Sequence, residues 1–542
     1  MDLVQTAKAW ISQDPDPETR QELESLIAAG DLAALESRFE TRLAFGTAGL
    51  RGEIGAGPNR MNRVVVSQTA LAIGNFLLSS GKFKDPAGEI SVVIGYDGRI
   101  NSDIFAKDSA EILSGLGISV QLFDRPVPTP VACFTGARRG ASATIVVTAS
   151  HNPPRDNGYK VYLGGELFGS QLVPPQDAEI ANWIEKIAAG QSVLDFIRSQ
   201  DYSLLSEAEI ELYRARAREL VPESNPNRSS LKISYTAMHG VGYQVIKPLF
   251  DELGFNLESV KEQQEPDGSF PTVSFPNPEE PGAMDLSLAH AKLHHSDLII
   301  ANDPDADRLA VGVLHLGNYK MLTGDQVGLI LADAIASQME SGSIANSIVS
   351  APLNALALHY GVSYQQTLTG FKWISKVPEL RFGYEEALGY CVDPSHTPDK
   401  DGITAALLIA DLAANLAAKG KTLLDLLETL AGRYGHLSTG QVSLRVSDLA
   451  VIGQIMESLR SNPVSEILGD PVEYEDLLLG LRLQATDGLV FRNSKLQVII
   501  RPSGTEPKLK CYLHYFGDSA EDADLGIAAL KEFATELFAA RQ

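Results

Sequence analysis

Residues 143–154 read Ala-Thr-Ile-Val-Val-Thr-Ala-Ser-His-Asn-Pro-Pro. The first five are mostly apolar or β-branched and have the length of a buried strand. Thr148-Ala149-Ser150-His151 follows at once, and Pro153 and Pro154 bar a helix from starting there. The reading is a strand that ends in a rigid loop presenting Ser150 and His151. The same texture recurs along the chain. Ile90–Tyr96 leads to Asp97-Gly98-Arg99, Leu231–Tyr235 to Thr236-Ala237-Met238-His239-Gly240, and Asp297–Ala301 to Asn302-Asp303. Helical patterns lie between these runs. Strands alternating with helices predict an α/β protein with mixed, largely parallel sheets. In such sheets ligands bind beyond the carboxyl ends of the strands, where these polar loops fall.

The two ends of the chain differ from this middle. Pro15–Ala28 reads as helix, and Asp31 is placed to cap a helix over Leu32–Phe39. In the last hundred residues Gly440–Val446 alternates polar and apolar side chains. Leu496–Ile500 and Lys508–Phe516 flank a seven-residue loop, which predicts an antiparallel pair in a smaller α+β domain. Proline-rich stretches at Val221–Asn227 and Pro394–Gly402 are expected joints.

Asp and Glu number 69 against 45 Lys and Arg, a net charge of −24, which disfavours nucleic acid and anionic membrane as partners. Charged residues at 21% and hydrophobic residues at 44% describe an ordinary globular chain rather than a disordered one. Cys133, Cys391 and Cys511 are odd in number and far apart, so no disulfide framework is expected and a reducing cytoplasm fits. The start, Met1-Asp2-Leu3-Val4-Gln5, has neither a basic nor an apolar signal region. The most apolar stretch, after Gly402, is interrupted by Asp411 and Asn415 and reads as a buried helix.

Five segments could carry chemistry. Ser150 beside His151 offers a hydroxyl nucleophile with a proton-exchanging neighbour; the alternative is a surface Ser-Asn-Pro turn. Asp303-Pro304-Asp305-Ala306-Asp307-Arg308 sets three carboxylates at alternate positions, on one side of an extended loop. Packed together they would repel unless a cation neutralises them, and all-oxygen ligation suits Mg²⁺. An EF-hand is excluded because its glycine position holds Arg308. Arg501-Pro502-Ser503-Gly504-Thr505-Glu506-Pro507 combines hydroxyls, backbone donors and a guanidinium, as phosphate binding requires; a solvated hairpin loop is the alternative. Phe45-Gly46-Thr47-Ala48-Gly49-Leu50-Arg51-Gly52 brings an arginine into a glycine-rich loop. Tyr384-Glu385-Glu386-Ala387-Leu388-Gly389, followed by Lys400-Asp401-Gly402, brings paired acids that can bind sugar hydroxyls.

In this order the five segments resemble the α-D-phosphohexomutases, the phosphoglucomutase/phosphomannomutase superfamily, and within it the phosphoglucomutase-2/phosphopentomutase branch. The resemblance runs from about Phe45 to Tyr512. It implies four domains around a central cleft, three α/β and a smaller C-terminal α+β domain. They are expected at residues 1–210 with the phosphoserine loop, 211–322 with the metal loop, 323–435 with the sugar loop and 436–542 with the phosphate loop. Ser150 matches the phosphoserine. Asp303, Asp305 and Asp307 match the Mg²⁺ ligands, with Ser150 completing the set. Arg51, His151 and Lys160 match catalytic groups. Arg308, Thr369, Gly370, Glu385, Lys400, Arg501, Ser503, Gly504 and Thr505 match substrate-binding positions.

The implied activity is phosphoglucomutase, interconverting glucose 1-phosphate and glucose 6-phosphate through glucose 1,6-bisphosphate as intermediate and activator, in a cytoplasmic monomer or dimer acting on small sugar phosphates. Phosphopentomutase or phosphomannomutase activity are the near alternatives. A haloacid-dehalogenase-like phosphatase and a non-catalytic sugar-phosphate sensor are the distant ones. One departure bears on substrate: Ala387 stands where many relatives have a serine, and its side chain makes no hydrogen bond.

Overall fold

A computed structural model of the chain describes all residues except Met1, 45–48, Ser447, Arg482, 504–507 and Gln542, and the side chain of Leu449. The chain divides into two compact units. The first comprises Met1–Leu322 and Leu388–Gly420; the second comprises Thr323–Ala387 and Lys421–Gln542.

Three helices, Leu3–Gln13, Pro17–Ala29 and Leu32–Phe39, open the first unit. Asp31 caps the third as expected, its carboxylate accepting from Ala34 N at 3.0 Å. The larger sheet then runs Leu50–Glu53, Asp156–Leu163, Ala143–Val147, Ser91–Tyr96, Ser119–Phe123, Ser203–Leu205, with Ser170–Gln171 beside Asp156–Leu163. The four strands from Ala143–Val147 to Ser203–Leu205 are parallel, and the two at the Leu50 edge are antiparallel to their neighbours. Ala143–Val147 is buried at every position, as its run of apolar and β-branched residues predicts for a central strand covered on both faces. A second sheet, in the order Asn318–Met321, Ala310–His315, Leu298–Ala301, Lys232–Thr236, Asn256–Ser259, is parallel over its last three strands. Both sheets therefore send loops from parallel carboxyl ends: Ser150 and Asp97 from the first, Met238 and Asp303 from the second.

In the second unit Ser363–Thr367, Ser343–Ser347 and Leu380–Glu385 are parallel. The C-terminal sheet is antiparallel throughout, in the order His436–Arg445, Lys508–Gly517, Leu496–Pro502, Leu489–Arg492, Glu473–Asp476. The expected pair around the seven-residue loop is there, with Ile500 opposite Cys511. Ile348 and Val349 pack with Ile499 and Tyr512, and His514 Nε2 lies 3.1 Å from Val349 O. These contacts fasten the C-terminal sheet to the parallel strands of its own unit.

Two expected joints prove to be anchored. In Val221–Asn227, Asn225 donates to Asp411 at 2.9 Å, and just beyond it the buried Arg228 donates to the same carboxylate at 2.7 Å. Asp411 belongs to the helix Gly402–Ala417, the apolar stretch read from sequence as a buried helix. The Pro394–Gly402 stretch is likewise interior to the first unit. The chain passes between units at 322–323, 387–388 and 420–421 instead. Among the described residues no helix is long and apolar enough to cross a membrane, and all three cysteines are buried and unpaired.

Candidate active site

Ser150 sits in the loop after Ala143–Val147, with φ of 52°, and only 1% of its surface is exposed. The left-handed conformation is costly for a residue bearing a Cβ, so the surroundings must enforce it. Arg99, from the loop after the neighbouring strand, does so. Its guanidinium donates to the carbonyls of Ser150 and Asn152 at 2.6 Å each and to those of Pro153 and Asp156 at 2.9 Å each. Asp97 lies 3.6 Å from Arg99 Nε, and Arg99 stacks over Phe270 at 4.9 Å. The side chain of Ser150 then points at two partners: its Oγ is 2.7 Å from Asp303 Oδ2 and 3.1 Å from His151 Nδ1.

Asp303, Asp305 and Asp307 are buried with carboxylate oxygens within 4.8 Å of one another. The alternation of acids does not gather them by itself, because the loop is not extended. Ala306 N donates to Asp303 O at 2.8 Å and Ala306 has φ of 56°, so the chain turns and folds the three carboxylates inward. Gly402 N holds the turn through Ala306 O at 3.2 Å, and a Cβ on Gly402 would collide with Arg308 O. That close approach explains the glycine after Lys400-Asp401.

Cations from distant segments converge on this loop. Lys160, on Asp156–Leu163 and itself buried, donates to Asp305 Oδ2 and Asp307 Oδ2 at 2.7 Å each. Lys400 Nζ is 3.2 Å from Asp307 Oδ2, Arg308 Nε is 3.9 Å from Asp307 Oδ1, and Thr129 Oγ1 donates to Asp305 Oδ2 at 2.6 Å. Arg51 donates to Asn152 Oδ1 at 3.1 Å.

The titration directions follow. Burial, then the charges of Asp305 and Asp307, hold the Asp303 carboxyl well above the carboxylate range. Burial also raises Asp307, but Lys160, Lys400 and Arg308 outweigh it and the group ends far below that range. Burial and the charges of Arg308 and Arg51 hold the His151 imidazole well below its usual value, hence neutral near pH 7.

The donors fit a hard cation. Asp305 Oδ1 and Asp307 Oδ1 are buried and make no hydrogen bond. Buried carboxylate oxygens without a donor are expensive unless a metal takes their lone pairs. Three carboxylates and a serine oxygen form an all-oxygen set of the kind Mg²⁺ prefers.

The second unit gathers the other expected residues. Glu385 Oε1 accepts from Gly370 N at 2.7 Å, and Thr369 Oγ1 lies 3.2 Å from Ser347 Oγ. Gly370 has φ of 116°, which only glycine adopts without strain. Glu386, the second of the paired acids read from sequence, accepts from Ser350 Oγ at 2.8 Å, and burial with the charges of Glu385 and Asp325 pushes its carboxyl up to about 8. Arg501 is the last residue but one of the strand Leu496–Pro502, and Ser503 N donates to Lys508 O at 2.8 Å. Gly504, Thr505 and the Phe45–Ala48 segment lie outside the described residues. Sequence reading missed Arg99 and Thr129. Arg99 could have been flagged, since Asp97-Gly98-Arg99 was already recognised as a strand-end loop.

Models of the phosphoglucomutase/phosphomannomutase alpha/beta/alpha domains I, II and III match residues 42–191, 213–316 and 323–434, and that of the C-terminal domain matches residues 475–526. The chain belongs to the phosphoglucomutase/phosphomannomutase family. As a member of it, the chain is a phosphosugar mutase of four domains, three α/β and a small C-terminal one, and the phosphatase alternative is set aside. A probable phosphomannomutase of Haemophilus influenzae is 46% identical over 87% of this chain and 96% of its own. The phosphopentomutase of Homo sapiens is 31% identical over 94% and 91%. A phosphoglucomutase of Staphylococcus epidermidis is 35% identical over 88% and 91%. The crystal structure of a putative phosphomannomutase from Thermus thermophilus superposes with a TM-score of 0.71, at 24% identity over 92% of this chain and 99% of that one, and shows the same fold.

Proposed function

We propose that this phosphosugar mutase interconverts glucose 1-phosphate and glucose 6-phosphate, with Ser150 as phosphoryl carrier. The observation that supports the reading best is the meeting of Ser150 Oγ, Asp303 and His151 at 2.7 and 3.1 Å beside a buried carboxylate triplet ringed by Lys160, Lys400, Arg51 and Arg308. In the first half-reaction the free hydroxyl of the sugar phosphate attacks phosphorus on phosphorylated Ser150. The Oγ–P bond breaks as the sugar O–P bond forms, the sugar hydroxyl gives up its proton, the leaving Ser150 Oγ takes one up, and a bisphosphate results. In the second, Ser150 Oγ attacks the other phosphoryl group, gives up its proton and is phosphorylated again, while the leaving sugar oxygen takes up a proton. Neutral His151 is placed to exchange those protons at Ser150. Asp303, Asp305, Asp307 and Ser150 would hold Mg²⁺, which when bound neutralises charge on the transferring phosphoryl group. Arg51 and Arg308 add fixed positive charge to the same end, and positioning with electrostatic stabilisation supplies most of the catalysis in such transfers.

In this proposal Thr369, Gly370 and Glu385 bind sugar hydroxyls, and Arg501, Ser503, Gly504 and Thr505 bind the phosphate that is not being transferred. Intact-protein mass spectrometry combined with turnover tests the reading. The parent should carry one phosphoryl group at Ser150, and Ser150→Ala should carry none and should not turn over. A variant that turned over normally would overturn it.

Two observations favour a second reading, pentose 1-phosphates as substrates. Ala387 offers no hydroxyl to a hexose, and a fission-yeast relative named probable phosphoribomutase is 33% identical over 98% of this chain. Turnover of ribose 1-phosphate faster than glucose 1-phosphate would select it.

A further inference from the structure

On the second sheet of the first unit, Glu258, His290 and His294 bring ligand atoms within 4.8 Å of one another. The placement follows from register and helix pitch. Glu258 lies on the edge strand Asn256–Ser259 and is the register partner of Ser234, so their side chains share one face of the sheet. The helix Asp285–His294 packs over the strand that carries Ser234. His290 and His294, four residues apart, stand on one side of that helix with rings stacked at 4.2 Å. Ser234 Oγ lies 2.8 Å from His290 Nδ1 and 2.8 Å from Ser296 Oγ, which fixes the ring and leaves Nε2 for another partner. His294 Nδ1 lies 2.7 Å from Glu258 Oε2.

We infer that Glu258, His290 and His294 form a second metal site, selective for a borderline transition-metal ion such as Zn²⁺ and separate in chemistry from the aspartate triplet. Two imidazoles and one carboxylate suit Zn²⁺, Cu²⁺ or Ni²⁺, whereas three carboxylates suit Mg²⁺. The Ser234 contact is the outer-shell support that metal-binding histidines use. His294 is the last residue of its helix, where the helix dipole favours a cation. Three protein ligands leave a position for water, and the bound ion would tie the edge strand to the helix that covers it.

Zn²⁺ alone, titrated calorimetrically into the full chain held in saturating Mg²⁺, tests this. The expected result is one Zn²⁺ per chain, an affinity at least tenfold weaker in His294→Ala and in Glu258→Gln, and a melting temperature that rises with Zn²⁺ in the parent but not in those variants. Both positions are partly exposed, so the variants should fold, and circular dichroism without Zn²⁺ checks it. Zn²⁺ binding unchanged by either substitution would place the ion elsewhere, and no binding up to about 100 times the protein concentration would leave only an ion pair between His294 and Glu258. Either result overturns the inference.

Discussion

Arg99 Nη2 stands 2.6 Å from the backbone carbonyl of Ser150 and an equal distance from that of Asn152, so a guanidinium from one strand end shapes the loop at the next. Four carbonyls satisfied by one planar fork is a task lysine cannot repeat. Arg99 touches no reacting atom; it is a positioning residue. Arg99→Lys should lower kcat about 10- to 100-fold with KM nearly unchanged, since about 1.4 kcal/mol per tenfold is within reach of one or two lost charged hydrogen bonds. A structural role alone would lower the melting temperature and leave kcat of the folded fraction intact, so both are measured.

Metal dependence tests the aspartate loop. Chelation should stop turnover and Mg²⁺ should restore it. Asp305→Asn removes a charge but little volume, and Thr129 and Lys160 can still bond the amide oxygen. The Mg²⁺ concentration for half-maximal turnover should rise at least tenfold. An unchanged requirement would make the triplet structural.

Glu386 predicts a stability slope with pH. Its carboxyl is raised from 4.5 to about 8 in the folded chain, chiefly by burial and then by Glu385 and Asp325. A raised folded value means that the native state holds a proton the unfolded state has released. The contribution is therefore complete below about pH 4.5 and is lost as pH rises through about 8. Glu386→Gln should flatten the fall in melting temperature between pH 6 and pH 9, read by calorimetry across that range. Parallel curves for parent and variant would place the slope in other groups.

Specificity tests the sugar loop. Ala387→Ser adds a hydroxyl two residues from Glu385, whose carboxylate already holds Gly370 N at 2.7 Å. The ratio of kcat/KM for glucose 1-phosphate over ribose 1-phosphate should rise about 3- to 30-fold, the scale of one neutral hydrogen bond. A constant ratio would put discrimination elsewhere.

Arg501→Ala tests the phosphate loop. A hydrogen bond to a charged group contributes about 1.5–3 kcal/mol, so kcat/KM should fall roughly 10- to 150-fold. Phosphorylation of Ser150 should survive. Parameters within twofold of the parent would exclude Arg501 as a phosphate ligand.

Legible in the sequence by itself were the main elements and the residue types from which a site could be built. Runs of apolar and β-branched residues such as Ala143–Val147 mark strands covered on both faces, because a strand with one face in water alternates polar and apolar side chains. Small and polar residues follow these runs because chain reversal demands them. The three aspartates were legible as a candidate cation site because their charges conflict unless something neutralises them. Tertiary structure alone decided what each loop meets. Lys160 reaches Asp305 and Asp307 across about 145 residues of chain. Segment Leu388–Gly420 returns to the first unit and brings Lys400 to Asp307. Glu258 finds His290 and His294 only through strand register. Local periodicity records which face of an element is buried, not what buries it. The partner is chosen by long-range packing, in which loop-closure entropy is set against the burial and charge pairing that the whole chain supplies.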